Sequence, residues 1–115
     1  MGTIVDPEWT IAYNTTTYEE PEDIAESLPT NFDARVNFSH CKATIDNVRD
    51  QSNCGSCWAF GTTEAFNDRG CIAGFMTSNL IASTADTTGC CDGLNCFSFG
   101  CNGGQVGTPW TWFTK

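Results

Sequence analysis

The residues Gln51-Ser52-Asn53-Cys54-Gly55-Ser56-Cys57-Trp58-Ala59-Phe60 have the types and spacing that bear most directly on chemistry in this 115-residue chain. They put a thiol, Cys57, in the first turn of an expected amphipathic helix. A helix N-terminus stabilises a thiolate through its unpaired backbone N–H groups and the positive end of its dipole. A side-chain amide, Gln51, stands six residues earlier. Its N–H and the backbone N–H of Cys57 can converge on one oxygen that gains negative charge, an arrangement worth roughly 3 kcal/mol per donor in a transition state. Gly55 lets another chain approach the backbone closely. The base and orienting partner that a thiol nucleophile needs are not visible in this stretch.

Three other readings of Cys54-Gly55-Ser56-Cys57 are open at this point. A bare C-x-x-C is also a redox pair or half of a zinc site. The redox reading wants a strand–helix context, and the zinc reading wants a second pair at similar spacing, which Cys90, Cys91 and Cys96 do not provide. The third reading is a cross-linked module in which every cysteine is bonded. Eight cysteines point to an oxidising compartment but allow 105 connectivities.

The element that positions Cys57 is a helix beginning near Ser56. Trp58, Ala59, Phe60, Ala65 and Phe66 make a stripe near the 3.6-residue period. Ser56 is the expected N-cap and Gly70 the expected C-terminal closure. Thr62 and Thr63 lower helix propensity, so tertiary packing must hold the helix. A second, poor helix is expected from Ser83, with Asp86 three residues on. Gly89 to Gly107 reads as a loop region ordered by cross-links. The closing Trp110-Thr111-Trp112-Phe113 has no obvious partner within the chain and reads as half of a packing interface. From Leu28 to Arg35 an extended segment pinned to a surface is expected, with Asp33 and Arg35 able to pair with other charges.

Composition bounds the rest. The length suits one small domain, and 40% hydrophobic residues allow a modest core. Fourteen acidic against five basic residues give a net charge of −9, which argues against a nucleic-acid partner. Seven of the acids lie in residues 1–27, which contain no base and read as a solvated tail or linker. Two sequons, Asn14-Thr15-Thr16 and Asn37-Phe38-Ser39, agree with secretory traffic. No apolar run is long enough to span a membrane, and Met1-Gly2-Thr3-Ile4 does not read as a signal peptide.

The segment from Gln51 to Phe60 resembles the active-site segment of papain-like cysteine peptidases, and its surroundings resemble the cathepsin B branch. Leu28-Pro29, Phe32-Asp33-Ala34-Arg35, Val48-Arg49-Asp50-Gln51, Asp68-Arg69, Cys71, Cys90-Cys91 and Cys101-Asn102-Gly103-Gly104 carry the likeness from Leu28 to Lys115. The resemblance implies an α+β papain-like fold in part, with a helix-rich left domain whose central helix starts at the nucleophile. Residues 1–27 would be the tail of a propeptide and 28–115 the N-terminal part of the peptidase domain. It implies Cys57 as nucleophile, Gln51 as oxyanion donor, and Gly55, Trp58, Gly103 and Gly104 as substrate-binding residues. It also implies the disulfides Cys41–Cys71, Cys54–Cys101 and Cys91–Cys96, with Cys90 left unpaired. The implied activity is peptide-bond hydrolysis through a thioester acyl-enzyme, with no cofactor and no metal. Peptide or protein substrates, cystatin-like inhibitors and the remaining C-terminal half of the domain are the implied partners, in a lysosome, another acidic vacuole or outside the cell.

The catalytic histidine and asparagine of such enzymes lie downstream and have no counterpart here, so the chain is expected to be a fragment. His40, the single histidine, precedes the nucleophile and reads as an ordinary surface residue. Ser52 stands where a glycine is usual, Thr87 and Thr88 where leucines pack, and Gln105 where an aromatic follows the glycines. The alternatives in other classes are a non-catalytic fragment that binds peptides or inhibitors, and a disulfide-rich secreted interaction module.

Overall fold

The structure, a computed structural model, describes residues 29–115, with the side chain of Asn95 excepted. The expected acidic tail over 1–27, Leu28 and the Asn14 sequon lie outside the described residues. Six α-helices occur among those described: α1 (Ala34–Asn37), α2 (Lys42–Ile45), α3 (Cys57–Ile72), α4 (Thr84–Cys90), α5 (Gly93–Cys96) and α6 (Thr108–Trp112). A 3-10 turn, Ser39–Cys41, joins α1 to α2. Two isolated bridges, Gly55 with Asn102 and Gly93 with Ser98, are present. The helix-rich layout is the one expected.

The Leu28–Arg35 expectation changes in detail. Asp33 caps a helical turn where an extended segment was expected. Its Oδ1 accepts from the Arg35 backbone N–H at 2.9 Å, and its carboxylate takes a two-pronged contact from the Arg35 guanidinium at 2.9 and 2.6 Å. The hydrogen bonds from Arg35 hold the Asp33 pKa down to about 2.

α3 is the spine, 16 residues long and so about 24 Å. Its buried face is Trp58, Ala59, Thr62, Thr63, Asn67, Gly70 and Cys71, at spacings of three and four. Three of these seven residues, Thr62, Thr63 and Asn67, are polar, and hydrogen bonds make their burial tolerable. The Thr62 hydroxyl lies 2.7 Å from the Trp58 carbonyl and 3.1 Å from that of Val106. Thr63 Oγ1 donates to Thr87 Oγ1 at 2.8 Å, and Thr87 in turn donates to the Ser83 carbonyl at 3.3 Å. Asn67 donates to the Leu80 carbonyl at 2.9 Å and accepts from the Ala82 N–H at 2.6 Å. Of the expected apolar stripe, Phe60, Ala65 and Phe66 are only half-buried.

The ends of α3 differ from expectation. Ser56 occupies the N-cap position, but its hydroxyl makes no capping bond. Gly70 lies inside the helix, which ends at Ile72 with Ala73 as C-cap. The left-handed residue is Gly74, at φ +82°, the conformation glycine adopts most cheaply after a helix. Gly70 is needed for space instead: a Cβ there would lie 2.6 Å from Met76 Sδ and 3.0 Å from a Phe75 ring carbon.

Ser83 caps α4, its Oγ accepting from the Asp86 N–H at 3.1 Å. The threonine pair Thr63–Thr87 docks α4 on α3, at the Thr87 position where a leucine is usual. The terminal aromatics do have a partner within the chain, contrary to expectation. Phe113 stacks on Phe66 with centroids 4.5 Å apart, Trp110 meets Phe66 edge-on at 6.2 Å, and the Arg69 guanidinium lies 5.3 Å from the Trp110 ring centre. The core beneath is Trp58, Ala59, Cys91 and Cys96, with Trp112 packed against it.

Three disulfides fasten these parts: Cys41–Cys71, Cys54–Cys101 and Cys91–Cys96. Their sequence separations are 30, 47 and 5 residues, so loop entropy assigns them about 3.6, 4 and 2 kcal/mol taken singly. The first two intervals interleave, and their effects do not simply add.

Candidate active site

Cys57 is the first residue of α3, half-buried and bonded in none of the disulfides. Its place follows from the loop before it. Gly55 N–H donates to the Cys101 carbonyl at 2.9 Å, beside the Cys54–Cys101 disulfide and the Gly55–Asn102 bridge. These ties hold the nucleophile loop against the Cys101–Gly104 segment. They also dispose of the redox and zinc readings of the C-x-x-C: Cys54 is bonded to Cys101, so it is neither the partner of Cys57 nor a ligand. Among the described residues no group of three or more His, Cys, Asp or Glu stands together as metal ligands.

Gln51 Nε2 donates to the Cys54 carbonyl at 2.8 Å. An amide nitrogen carries two hydrogens, so this contact uses one and leaves the other for an acceptor. The loop is shaped by Ser52, whose φ is +52°, and by Asp50, whose Oδ1 accepts from the Ser52 N–H at 2.7 Å. Thus serine sits left-handed where glycine would do so freely.

Upstream, Arg49 anchors the loop to the body. Its Nη1 donates to the Ala82 carbonyl at 2.6 Å and its Nη2 to Asn67 Oδ1 at 3.1 Å. Its Nε is buried without a hydrogen-bond partner, 4.0 Å from Glu64 Oε1. Burial pushes the Glu64 and Asp68 carboxyls above their usual range, with Arg49 opposing both shifts. Sequence reasoning gave Arg49 and Asn67 no role. The one available signal was a polar Asn67 on the buried face of α3.

A cleft of about 310 Å³ opens beside Gln51. Gln51, Cys54, Ser56 and Phe60 line one wall and Thr84, Ala85, Thr88 and Gly89 the other. Gly55, Cys57, Gly103 and Gly104 are not among its lining residues. Trp58, expected at the substrate, is wholly inside the core, its Nε1 donating to the Gly100 carbonyl at 3.0 Å. Gly103 and Gly104 are buried too, Gly104 beside the Trp58 ring. Gly103 has φ +111°, and a Cβ on Gly104 would lie 2.5 Å from the Trp58 ring. So Gly103 is needed for its positive φ and Gly104 for the space beside Trp58. Gln105, in place of an aromatic, is turned inward and buried, and its N–H donates to Ser98 Oγ at 3.1 Å.

Two remaining candidates lie apart. Cys90 is exposed at the end of α4, and its hydrogen bond to Asp86 pushes its thiol pKa up. His40 is exposed in the 3-10 turn. The neighbouring Cys41 is bonded to Cys71, with Cα atoms 5.9 Å apart. Cys71 is fourteen residues along α3 from Cys57, about 21 Å. His40 therefore sits at the wrong end of the helix to serve the thiol.

Comparison with known proteins agrees with this geometry. The model of the papain family cysteine proteases matches residues 28–115. Cathepsin B-like cysteine proteinase 5 of Caenorhabditis elegans is 42% identical over 93 residues, 81% of this chain and 27% of that protein. A cathepsin B-like cysteine proteinase of Schistosoma japonicum is likewise 42% identical over 93 residues, 81% of this chain and 26% of its own length. Among solved structures, procathepsin B S9 from Trypanosoma congolense superposes with a TM-score of 0.76 at 28% identity, over 97% of this chain and 36% of the other. The chain spans about a quarter of the length of these curated relatives. It belongs to the papain family of cysteine proteases and is similar to cathepsin B-like members of it.

Proposed function

We propose that these 115 residues supply the nucleophile half of a cathepsin B-type cysteine peptidase. Cys57 Sγ attacks the substrate carbonyl and forms a thioester, and the amine leaves. The second Gln51 N–H and the Cys57 backbone N–H hold the oxyanion. Gly103 and Gly104 offer backbone groups to an extended peptide. The base comes from outside this chain, because His40 is at the far end of α3. The carrying observation is a thiol outside the three disulfides at the first residue of the 16-residue helix, six residues after an amide that keeps one N–H to give. Protein or peptide substrates, cystatin-like inhibitors, and a lysosomal, vacuolar or extracellular setting belong to the same proposal. Residues 1–27 are read as the tail of a propeptide.

The position of His40 favours a second reading for the isolated chain: it binds peptides or inhibitors without turnover. The chain alone is expected to cleave no dibasic fluorogenic peptide. An epoxide inhibitor is expected to label Cys57 once the C-terminal part of a cathepsin B-like proteinase is added. Labelling elsewhere, or mass mapping that finds Cys57 in a cystine, refutes the proposal.

A further inference from the structure

We propose that Asn37 is a site of N-linked glycosylation, its exposed amide and the exposed Ser39 hydroxyl flanking a break in the helix at Phe38. The acceptor motif needs Asn, any residue but proline, then Ser or Thr. Asn37-Phe38-Ser39 meets it, and both polar residues are on the surface. Asn37 is the last residue of α1. Phe38 leaves helical geometry at φ −115° and ψ 55°, and Ser39 begins the 3-10 turn. The three residues therefore share no continuous helix that would have to open.

The bond-making step balances. Asn37 Nδ2 bonds to the anomeric carbon of a lipid-diphosphate-linked oligosaccharide. The bond from that carbon to the diphosphate oxygen breaks, and the lipid diphosphate leaves with the electron pair. One amide proton passes to a base of the transferring enzyme. In the folded chain Asn37 Nδ2 donates to the Asp33 carbonyl at 2.8 Å. The glycosylated nitrogen keeps one hydrogen and so remains a donor.

Three features suit a glycan here. Three disulfides call for an oxidising secretory lumen, where such a transfer occurs. The site adjoins the Cys71 end of α3, about 21 Å along the helix from Cys57, and Asn37 does not line the cleft. Phe32 and Val36, 60% and 73% exposed, flank it. A bulky hydrated sugar would screen this apolar surface. None of this depends on the peptidase reading.

The test is translation of the full chain, carrying N14Q and a cleavable secretory leader, with microsomes. Only the protease-protected fraction is examined. A single upward gel shift is expected, removed by peptide-N-glycosidase with conversion of residue 37 to aspartate. S39A, which keeps the asparagine, is expected to abolish it, and S39T to retain it. A protected chain with no shift, or a shift that persists in S39A, overturns the proposal. Because the transfer is read on the nascent chain, a folding defect in S39A does not obscure the result.

Discussion

Alanine at Gly104 tests the packing around Trp58 with a single methyl group. The ideal Cβ would lie 2.5 and 2.6 Å from two Trp58 ring carbons and 2.6 Å from Ser98 Oγ. Trp58 has no exposed surface and cannot swing outward without emptying the core. Overpacking of this kind costs about 1–3 kcal/mol. A displaced indole also loses its bond to the Gly100 carbonyl, worth about 0.5–1.5 kcal/mol. Together G104A should cost about 2–4 kcal/mol, or a fall in Tm of roughly 10–20 °C for a domain of this size. G61A is the matched control. Gly61 is exposed within α3, with nothing near its missing Cβ. There the same methyl should stabilise by about 0.5–1 kcal/mol and raise Tm by a few degrees. The assay is thermal unfolding of the oxidised chain followed by near-ultraviolet circular dichroism, which also reports the Trp58 environment. A G104A protein as stable as the parent, or two variants shifted in the same direction, would refute the reasoning.

The remaining predictions concern single residues. T87V should cost about 1–3 kcal/mol, because the buried Thr63 hydroxyl loses its acceptor, whereas T63V together with T87V should cost less than the sum; a double-mutant cycle in urea checks this, and strict additivity counts against the hydroxyl pair. S52G should raise stability by about 0.5–1 kcal/mol, since the left-handed backbone costs serine about 1–2 kcal/mol and glycine's unfolded-state entropy returns part of it; a lower Tm would show that Ser52 is not strained. The Asp33 carboxyl should titrate at about 2, below its ordinary value of 3.8. Its folded pKa is depressed, so the stability it lends is complete above about pH 4 and is lost as pH falls through about 2. NMR titration checks the midpoint, and D33N should flatten the stability profile in that window alone.

The start of α3 was legible because an apolar stripe near the 3.6-residue period, led by Trp58, begins two residues after the small polar Ser56. Its end was not. Gly70 and Gly74 lie four residues apart, and either could close a helix by composition. Packing against Phe75 and Met76 decides for Gly74, and that packing exists only after the chain has turned. The terminal aromatics looked unpartnered because Phe66 is more than forty residues away in sequence. The cysteine pairing followed from resemblance, since spacing alone leaves 105 choices. Thr87 was read as a weakness of α4 because a lone threonine shows no partner. Its value lies in Thr63, on another helix. Gln51 and Cys57 were visible as a pair, but their anchoring by Arg49 was not, because it runs through carbonyls at Leu80–Ala82 that carry no side-chain signature.

The overlapping bonds 41–71 and 54–101 bear on how the chain survives backbone cleavage. Any one backbone cut between residues 41 and 101 is spanned by at least one of them. The exposed stretch from Ala73 to Phe75 invites such a nick, yet both fragments would travel as one particle until a reductant parts them. Damage of this kind shows on a gel only after thiol treatment, and tolerance of it is written into the order in which four sulfurs occur along the chain.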